Sequence, residues 1–287
     1  MSPAVWWAVA AAVAAAVSYL VTPMLVRALR RAGCMVPNYR GVSVARPAGF
    51  GLVMGACAGA TAATLVEPLA GQGAEAAMVR SDLLAIVALC LGTASAGLFD
   101  DMAGSGERRG FKGHFRALAG GELSTGMVKM GVVALVCVAV ALARETPSAG
   151  WATLVVHALA LAASANAVNL LDTRPGRAVK GAVLLAAASA AGGGNAGVAA
   201  LAIGAAVGYV GYDLREEAML GDTGANPLGA LVGLSALEMP GTRLYLFLVT
   251  MALLNVLSEF VSIGSLIEAC PPLAALDRLG RGGGLHE

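Results

Sequence analysis

Apolar stretches as long as a membrane crossing recur along the whole chain. A helix needs about 20 consecutive, mostly apolar residues to cross the hydrocarbon core of a bilayer, because its backbone polar groups must all be bonded within the segment. The sequence contains nine such stretches separated by short polar breaks, of which the sixth and eighth are short: 3–26, 48–69, 81–99, 126–143, 150–171, 178–192, 195–212, 225–238 and 241–262. This pattern predicts an all-α fold, a polytopic transmembrane helical bundle of about nine spans.

The composition excludes a water-soluble globule. Hydrophobic residues make up 58% of the 287 residues and charged residues only 13%, with a mean hydropathy of +0.76. These charges are too few to cover a soluble surface, whereas lipid can face apolar side chains. We expect a transmembrane domain over residues 1–262 and a tail over residues 263–287. The net charge of +1 creates no field that would attract nucleic acid, and we expect no such partner.

The basic residues indicate the orientation of the chain. Cytoplasmic loops of membrane proteins carry an excess of Lys and Arg. If alternate loops share a face, 16 of the 19 basic residues lie on or near the face formed by residues 27–47, 100–125, 172–180, 213–224 and 263–287. We therefore expect the N-terminus outside and the C-terminus in the cytoplasm, with the first segment retained as a span rather than cleaved as a signal peptide. The five cysteines are odd in number, widely spaced and mostly inside apolar stretches, with no CxxC pair, so we interpret them as reduced packing residues.

Two adjacent carboxylates end the third apolar stretch, in the string G-L-F-D-D-M that contains Asp100 and Asp101. Carboxylates at the end of a membrane helix are costly to desolvate, and two neighbours repel each other unless a cation lies beside them. A hard divalent metal is a natural partner for such oxygen ligands. The alternative is a helix end that exits into water, although negative charge there opposes the helix dipole.

The fifth stretch ends in amides and a carboxylate that share one helix face. Asn166, Asn169 and Asp172 are spaced at i, i+3 and i+6, which points all three toward one cavity. The alternative for the amides is hydrogen bonding between helices, since Asn stabilises contacts in lipid. Arg174 and Arg177 follow at a Pro-Gly turn. Phosphate binding and simple anchoring at the cytoplasmic surface both fit these arginines.

A glycine-flanked aspartate precedes the eighth stretch. The string L-G-D-T-G-A-N-P-L-G places Asp222 between Gly221 and Gly224. Glycine allows a backbone to approach a ligand closely, and the helix N-terminus that follows offers free N–H groups to a phosphate. A turn capped by an aspartate would have the same sequence pattern.

Basic residues lie in the loops on the same face. Lys112 and Lys129, between the third and fourth stretches, could neutralise an anionic substrate, and His114 is either a general base or a surface residue. Arg46 lies at the membrane edge before the second stretch, where anionic lipid headgroups would also explain its charge.

Taken together, these motifs resemble the polyprenyl-phosphate phospho-sugar transferases, the MraY/WecA-type superfamily of glycosyltransferase family 4. The matching strings occur in family order over most of the chain: R-G-V-S-V-A-R-P-A-G-F-G, G-L-F-D-D, E-L-S-T-G-M-V-K, N-A-V-N-L-L-D and G-D-T-G-A-N-P-L-G. Five ordered matches on the same predicted membrane side are far more specific than any one of them.

The resemblance implies transfer of a sugar 1-phosphate from a UDP-sugar to a polyprenyl phosphate such as undecaprenyl phosphate. This is an initiating step of cell-envelope glycan synthesis, including peptidoglycan, with Mg²⁺ as cofactor at the cytoplasmic face of the plasma membrane. The catalytic carboxylates would be Asp100, Asp101, Asp172 and Asp222. Asp222 and Asp101 would contact the metal. The expected substrate-binding residues are Asn166, Asn169, Lys112, Lys129, Arg174, Arg177, Arg46, Gly221 and Gly224.

Two stretches depart from the family pattern. Where the family commonly continues D-G-L-D-G-L, this chain has D-T-R-P-G-R-A, and residues 263–287 lack the family's histidine-rich loop. These departures favour an altered donor pocket in a short, divergent member. They also leave open a non-catalytic paralogue that binds polyprenyl phosphate or nucleotide and regulates an envelope pathway. A transporter is a third hypothesis, disfavoured because the carboxylates gather at one face. Small-residue helix faces would permit a homodimer.

Overall fold

The computed structural model describes residues 3–66, 74–104, 113, 119–144 and 150–281. Within these residues the chain forms helices joined by short connections, and a single small hairpin. The helices are α1 (Pro3–Arg31), α2 (Phe50–Val66), α3 (Ala74–Ala103), α4 (Thr125–Arg144), α5 (Trp151–Leu171), α6 (Arg177–Ala191), α7 (Ala196–Leu214), α8 (Gly221–Ala236), α9 (Thr242–Leu257), α10 (Ile263–Ala269) and α11 (Pro271–Arg278).

Each apolar stretch coincides with one helix of this series, and the predicted all-α membrane fold is confirmed. Among the described residues, five helices are long and apolar enough to cross a bilayer: Ala4–Arg31, Arg80–Ala103, Thr125–Arg144, Trp151–Leu171 and Ala196–Leu214. The apolar helices Phe50–Leu65 and Thr242–Leu257 are shorter. The number of nine crossings and the orientation of the termini stay predictions.

Helix α8 lies at the centre of the bundle. All of its residues except Asp222 are buried, and it packs against α2, α3, α5, α6 and α7. A 16-residue helix enclosed in this way contacts protein rather than lipid along its length. Its N-terminus is therefore held in a fixed position relative to the ends of α3 and α5, where the predicted site residues lie.

A two-stranded hairpin interrupts the otherwise helical fold. Strand β1 (Met35–Pro37) pairs antiparallel with β2 (Ser43–Ala45), and Ala45 also bridges Ala218 just before α8. The Ala48 and Gly49 amides continue this pairing by donating to the carbonyls of Met219 and Leu220 at 3.1 Å. The hairpin departs from the purely helical expectation, and it fixes the loop that carries Arg46 against the start of α8.

A polar network ties the helices together at the opposite end of the bundle. Asp82 of α3 is 1% exposed and forms an ion pair with Arg144 at the end of α4. Asn195 caps α7 through its side-chain oxygen and donates its amide to Asp82 at 2.9 Å and to Glu238 at 2.8 Å. The charged groups of this network are paired with one another, because unpaired charges are costly away from water.

Candidate active site

The predicted site residues gather at one end of the bundle. The end of α3, the start of α4, the end of α5 and the start of α8 meet there. We call the side chains of Asp100, Asp101, Lys129, Asp172, Asp213 and Asp222 the carboxylate cluster. Several negative groups in one partly buried place repel each other, and only a cation or bonded donors can hold them together.

Lys129 bridges the carboxylates of two helices. Its Nζ atom lies 2.5 Å from Asp222 Oδ2 and 3.4 Å from Asp100 Oδ2. The three side chains are between 15% and 21% exposed, so they are shielded from bulk water yet still reachable. The ammonium group thus occupies the point where the two carboxylates converge, at the entrance to the cluster.

Asp101 differs sharply from its neighbour because both of its oxygens are already bonded. Oδ1 accepts from the Asp222 amide at 3.1 Å and from Arg46 Nη2 at 2.7 Å, while Oδ2 accepts from the Thr223 amide at 3.0 Å and from its hydroxyl at 2.7 Å. The side chain is completely buried. Asp101 therefore caps the N-terminus of α8, where a negative charge is stabilised by the helix dipole.

Asp172 lies just after α5 and binds the start of α8 as well. Its Oδ2 atom accepts from the Gly221 amide at 3.0 Å. Burial raises the pKa of the Asp172 carboxyl well above its ordinary value, and the nearby carboxylates of Asp213 and Asp222 add to the rise. A group in this position gains from any cation that enters the cluster.

Asp213 is a member of the cluster that the sequence analysis missed. It is only 3% exposed, and its carboxylate accepts from the Gly176 amide at 2.7 Å. The sequence does contain a sign of it, because Asp213 is a lone acidic residue in the last turn of an apolar span. Such a residue is costly unless it has a partner. Asp213 holds the loop that follows Asp172 rather than facing the cluster entrance.

The two predicted glycines lie where backbones approach closely. Gly221 has φ +65°, and a Cβ atom there would lie 2.7 Å from Asp101 Oδ2. A side chain at Gly224 would lie 2.7 Å from the Cα atom of Gly49, in the loop after the hairpin. Both glycines let the chain pack closely around the start of α8.

The amides predicted on α5 separate in the structure. The Asn166 side chain donates to Asn255 Oδ1 on α9, and Asn255 in turn donates to the Ala163 carbonyl at 2.9 Å. This is the helix–helix bonding that the sequence left as the alternative. The Asn169 side chain makes no hydrogen bond to another described residue, and it stays a proposed substrate ligand.

The arginines after Asp172 also have protein partners. Arg177 forms a buried ion pair with Asp277 at 2.8 Å. Arg174 is 39% exposed, lies 3.7 Å from Glu268, and places its guanidinium carbon 4.4 Å from the centre of the Tyr39 ring. Arg174 thus remains accessible to a ligand, whereas Arg177 is engaged within the protein. The predicted ligand Lys112 and the histidine His114 lie outside the described residues.

An open cleft adjoins the carboxylate cluster. It is small, with an enclosed volume of about 30 Å³, and it lies between the hairpin, the loop after α5 and the end of α7. Asp172, Asp213, Tyr39 and Arg174 are among its lining residues. The cleft therefore brings Tyr39 and Arg174 next to Asp172 at the loop end of the bundle.

Asp100 and Asp222 supply oxygen ligands of the type that a magnesium ion takes, and because Lys129 bridges them here, a magnesium site stays a proposal. Asp100 and Asp222 offer hard oxygen atoms that converge, and Mg²⁺ usually takes one or two carboxylates plus water and phosphate oxygens. The described residues contain no group of three or more His, Cys, Asp or Glu arranged as a complete metal site. Asp101 was assigned to the metal together with Asp222, but its oxygens are engaged in capping α8, so the geometry favours Asp100 in that place.

The fold and the cluster define a class of protein: a membrane-embedded helical bundle with carboxylates and a lysine gathered at the loop end of its central helix. The family model of glycosyl transferase family 4 matches residues 83–239, more than half of the chain, and the chain belongs to this family. No curated protein matches the chain. At the family level the protein is a membrane glycosyl-phosphate transferase.

Proposed function

We propose that the protein transfers a sugar 1-phosphate from a UDP-sugar to a polyprenyl phosphate at the cytoplasmic face of the plasma membrane, as an initiating step of envelope glycan synthesis. The observation that carries the proposal is the convergence of Asp100 and Asp222 on Lys129, beside Asp172. Family membership supports the reaction class.

The reaction joins two anionic substrates, and this sets its physical demands. An oxygen of the lipid phosphate attacks the β-phosphorus of the UDP-sugar, the bond from that phosphorus to the bridging oxygen breaks, and UMP leaves. Negative charge accumulates on the phosphoryl oxygens, so catalysis depends on positioning and on positive charge. Mg²⁺ held by Asp100 and Asp222 would supply that charge when bound.

The chain's own residues divide the remaining tasks. Lys129 points its ammonium group into the cluster and binds phosphate oxygens. Asp100 also orients the lipid phosphate or accepts its proton, since its carboxylate is the less engaged of the adjacent pair. Asp172 and Asn169 line the donor side together with Arg174. Asp101 and Arg46 hold the start of α8 and bind no substrate.

Release of UMP tests the proposal. Purified protein in detergent is incubated with undecaprenyl phosphate and a panel of UDP-sugars, with Mg²⁺ present or chelated by EDTA. We expect metal-dependent UMP release from at least one donor. Folded protein that binds the lipid phosphate but releases no UMP from any donor would support the non-catalytic paralogue instead.

A further inference from the structure

The loop that follows Asp172 is held by the C-terminal helices rather than by its own sequence neighbours alone. Arg177 donates from Nε and Nη2 to the two oxygens of Asp277 on α11, at 2.9 and 2.8 Å. Both side chains are buried, with 5% and 7% exposure. A bidentate ion pair of this kind fixes both the distance and the relative orientation of the two side chains.

Further contacts join the same two segments. The Arg281 guanidinium donates to the Pro175 carbonyl at 3.0 Å and also bonds Asp277. Lys180 donates to the carbonyls of Leu276, Asp277 and Leu279, at 3.1, 2.5 and 3.1 Å. These carbonyls end α11, where a cation is favoured by the helix dipole. We call the contacts made by Arg177, Lys180, Asp277 and Arg281 the C-terminal clamp.

The C-terminal clamp is connected to the carboxylate cluster through Thr173. Arg177 Nη1 donates to the Thr173 hydroxyl at 2.9 Å, and Thr173 follows Asp172 in the chain. The Gly176 amide is bonded to Asp213 at the other side of the loop. The loop of residues 172–177 is thus fixed at both ends, with Asp172 directed at the start of α8.

We propose that Arg177 and Asp277 are positioning residues that hold Asp172 in its reactive place through the loop of residues 172–177. This inference rests on the proposed function. It gives Arg177 a different task from the substrate binding expected from sequence. Asp277 also lies beyond the residues matched by the family model, which end at 239, so the family match does not supply this role.

The test compares Asp277→Asn with Arg278→Gln, a change at an exposed side chain one residue away that has no hydrogen bond or ion pair to a described residue. Hydrogen–deuterium exchange in detergent reports the loop, and steady-state UMP release reports kcat and KM. We expect Asp277→Asn to speed the exchange of the amides of Thr173, Arg174, Gly176 and Arg177 by about tenfold or more, because local opening becomes easier. We expect kcat to fall by about 10–100-fold, as for the loss of other supporting partners of reactive groups. Asp277→Glu keeps the charge and restores part of both properties.

A merely structural ion pair would lower the melting temperature but leave kcat and local exchange below that temperature as in the Arg278→Gln control, and this result would overturn the proposal. If Asp277→Asn does not fold, Arg177→Lys is tested in its place, because lysine keeps the positive charge but cannot form the bidentate hydrogen bonds to Asp277. If the wild type releases no UMP, the proposed function fails, and the exchange of residues 173–177 alone decides whether the clamp holds the loop.

Discussion

The adjacent aspartates at the end of α3 are expected to respond differently to the same substitution. Asp101→Asn removes the charge that pairs with Arg46 and accepts from the first amides of α8. Both oxygens of Asp101 accept hydrogen bonds from backbone amides of α8, so the NH₂ group of the asparagine faces a donor in either orientation. At least one buried donor therefore loses its acceptor. Removing one partner of a buried pair costs about 3–5 kcal/mol.

Partial exposure of the arginine places the expected loss near the lower limit. Arg46 is 30% exposed and can be partly solvated once its partner is gone, so we expect about 3 kcal/mol. Proteins of this size lose about 2–4 °C of melting temperature per kcal/mol. Asp101→Asn is therefore expected to lower the melting temperature by roughly 6–12 °C.

Asp100→Asn is the matched control. Its carboxylate is 21% exposed and contacts Lys129 at 3.4 Å, while Lys129 keeps its closer partner Asp222. Because Lys129 keeps Asp222, the substitution leaves no buried charge unpaired; losing one long hydrogen bond costs about 1 kcal/mol, so the melting temperature should stay within about 2–4 °C of the wild type. Activity, in contrast, should fall strongly. Melting is followed by tryptophan fluorescence of the detergent-solubilised protein after size-exclusion chromatography. Equal melting of both variants would refute the assignment of Asp101 as the cap of α8.

Three further predictions concern other parts of the chain. Arg144→Ala leaves the buried Asp82 without its arginine and should cost about 3–5 kcal/mol by the same melting assay; an unchanged melting temperature would show that the network is not holding that end. Gly221→Ala introduces a Cβ atom at a positive φ and 2.7 Å from a carboxylate oxygen, so the variant should melt at least about 2 °C lower, and equal melting would contradict the close packing described. Burial tends to raise the pKa of Asp277, but hydrogen bonds from two arginines outweigh it and lower the pKa to about 2, against an ordinary 3.8. Its folded-state pKa is depressed, so its stabilising effect is present above about pH 3.8 and lost as the pH falls toward 2. The difference in melting temperature between the wild type and Asp277→Asn should therefore shrink over that range, and a constant difference would contradict the ion pair.

Hydrophobicity alone made the helices predictable. The length and spacing of the apolar stretches locate α1 to α9 because a helix in lipid must satisfy its own backbone bonds. The hairpin was not predictable, since three-residue strands have no recognisable period and the pairing of Ala45 with Ala218 spans most of the chain. Local patterns cannot indicate contacts of such long range.

The site was predictable as a set of residue types but not as a set of roles. The order of motifs named Asp100, Asp101, Asp172 and Asp222, and the structure brings them to one end of the bundle. Their division of labour depends on which donors reach each oxygen, which only the packing of α3 against α8 determines. Asp277 was missed for the same reason, because its partner Arg177 lies 100 residues away in the sequence.

The most direct test of the central claim is the rate of UMP release by Asp222→Asn at saturating Mg²⁺, UDP-sugar and undecaprenyl phosphate. We expect that rate to fall by about 10²–10⁴-fold relative to the wild type in protein that still elutes as a folded species from size-exclusion chromatography, because the carboxylate that converges with Asp100 on Lys129 is lost. A folded Asp222→Asn variant that releases UMP at the wild-type rate would contradict the placement of the reaction at the carboxylate cluster.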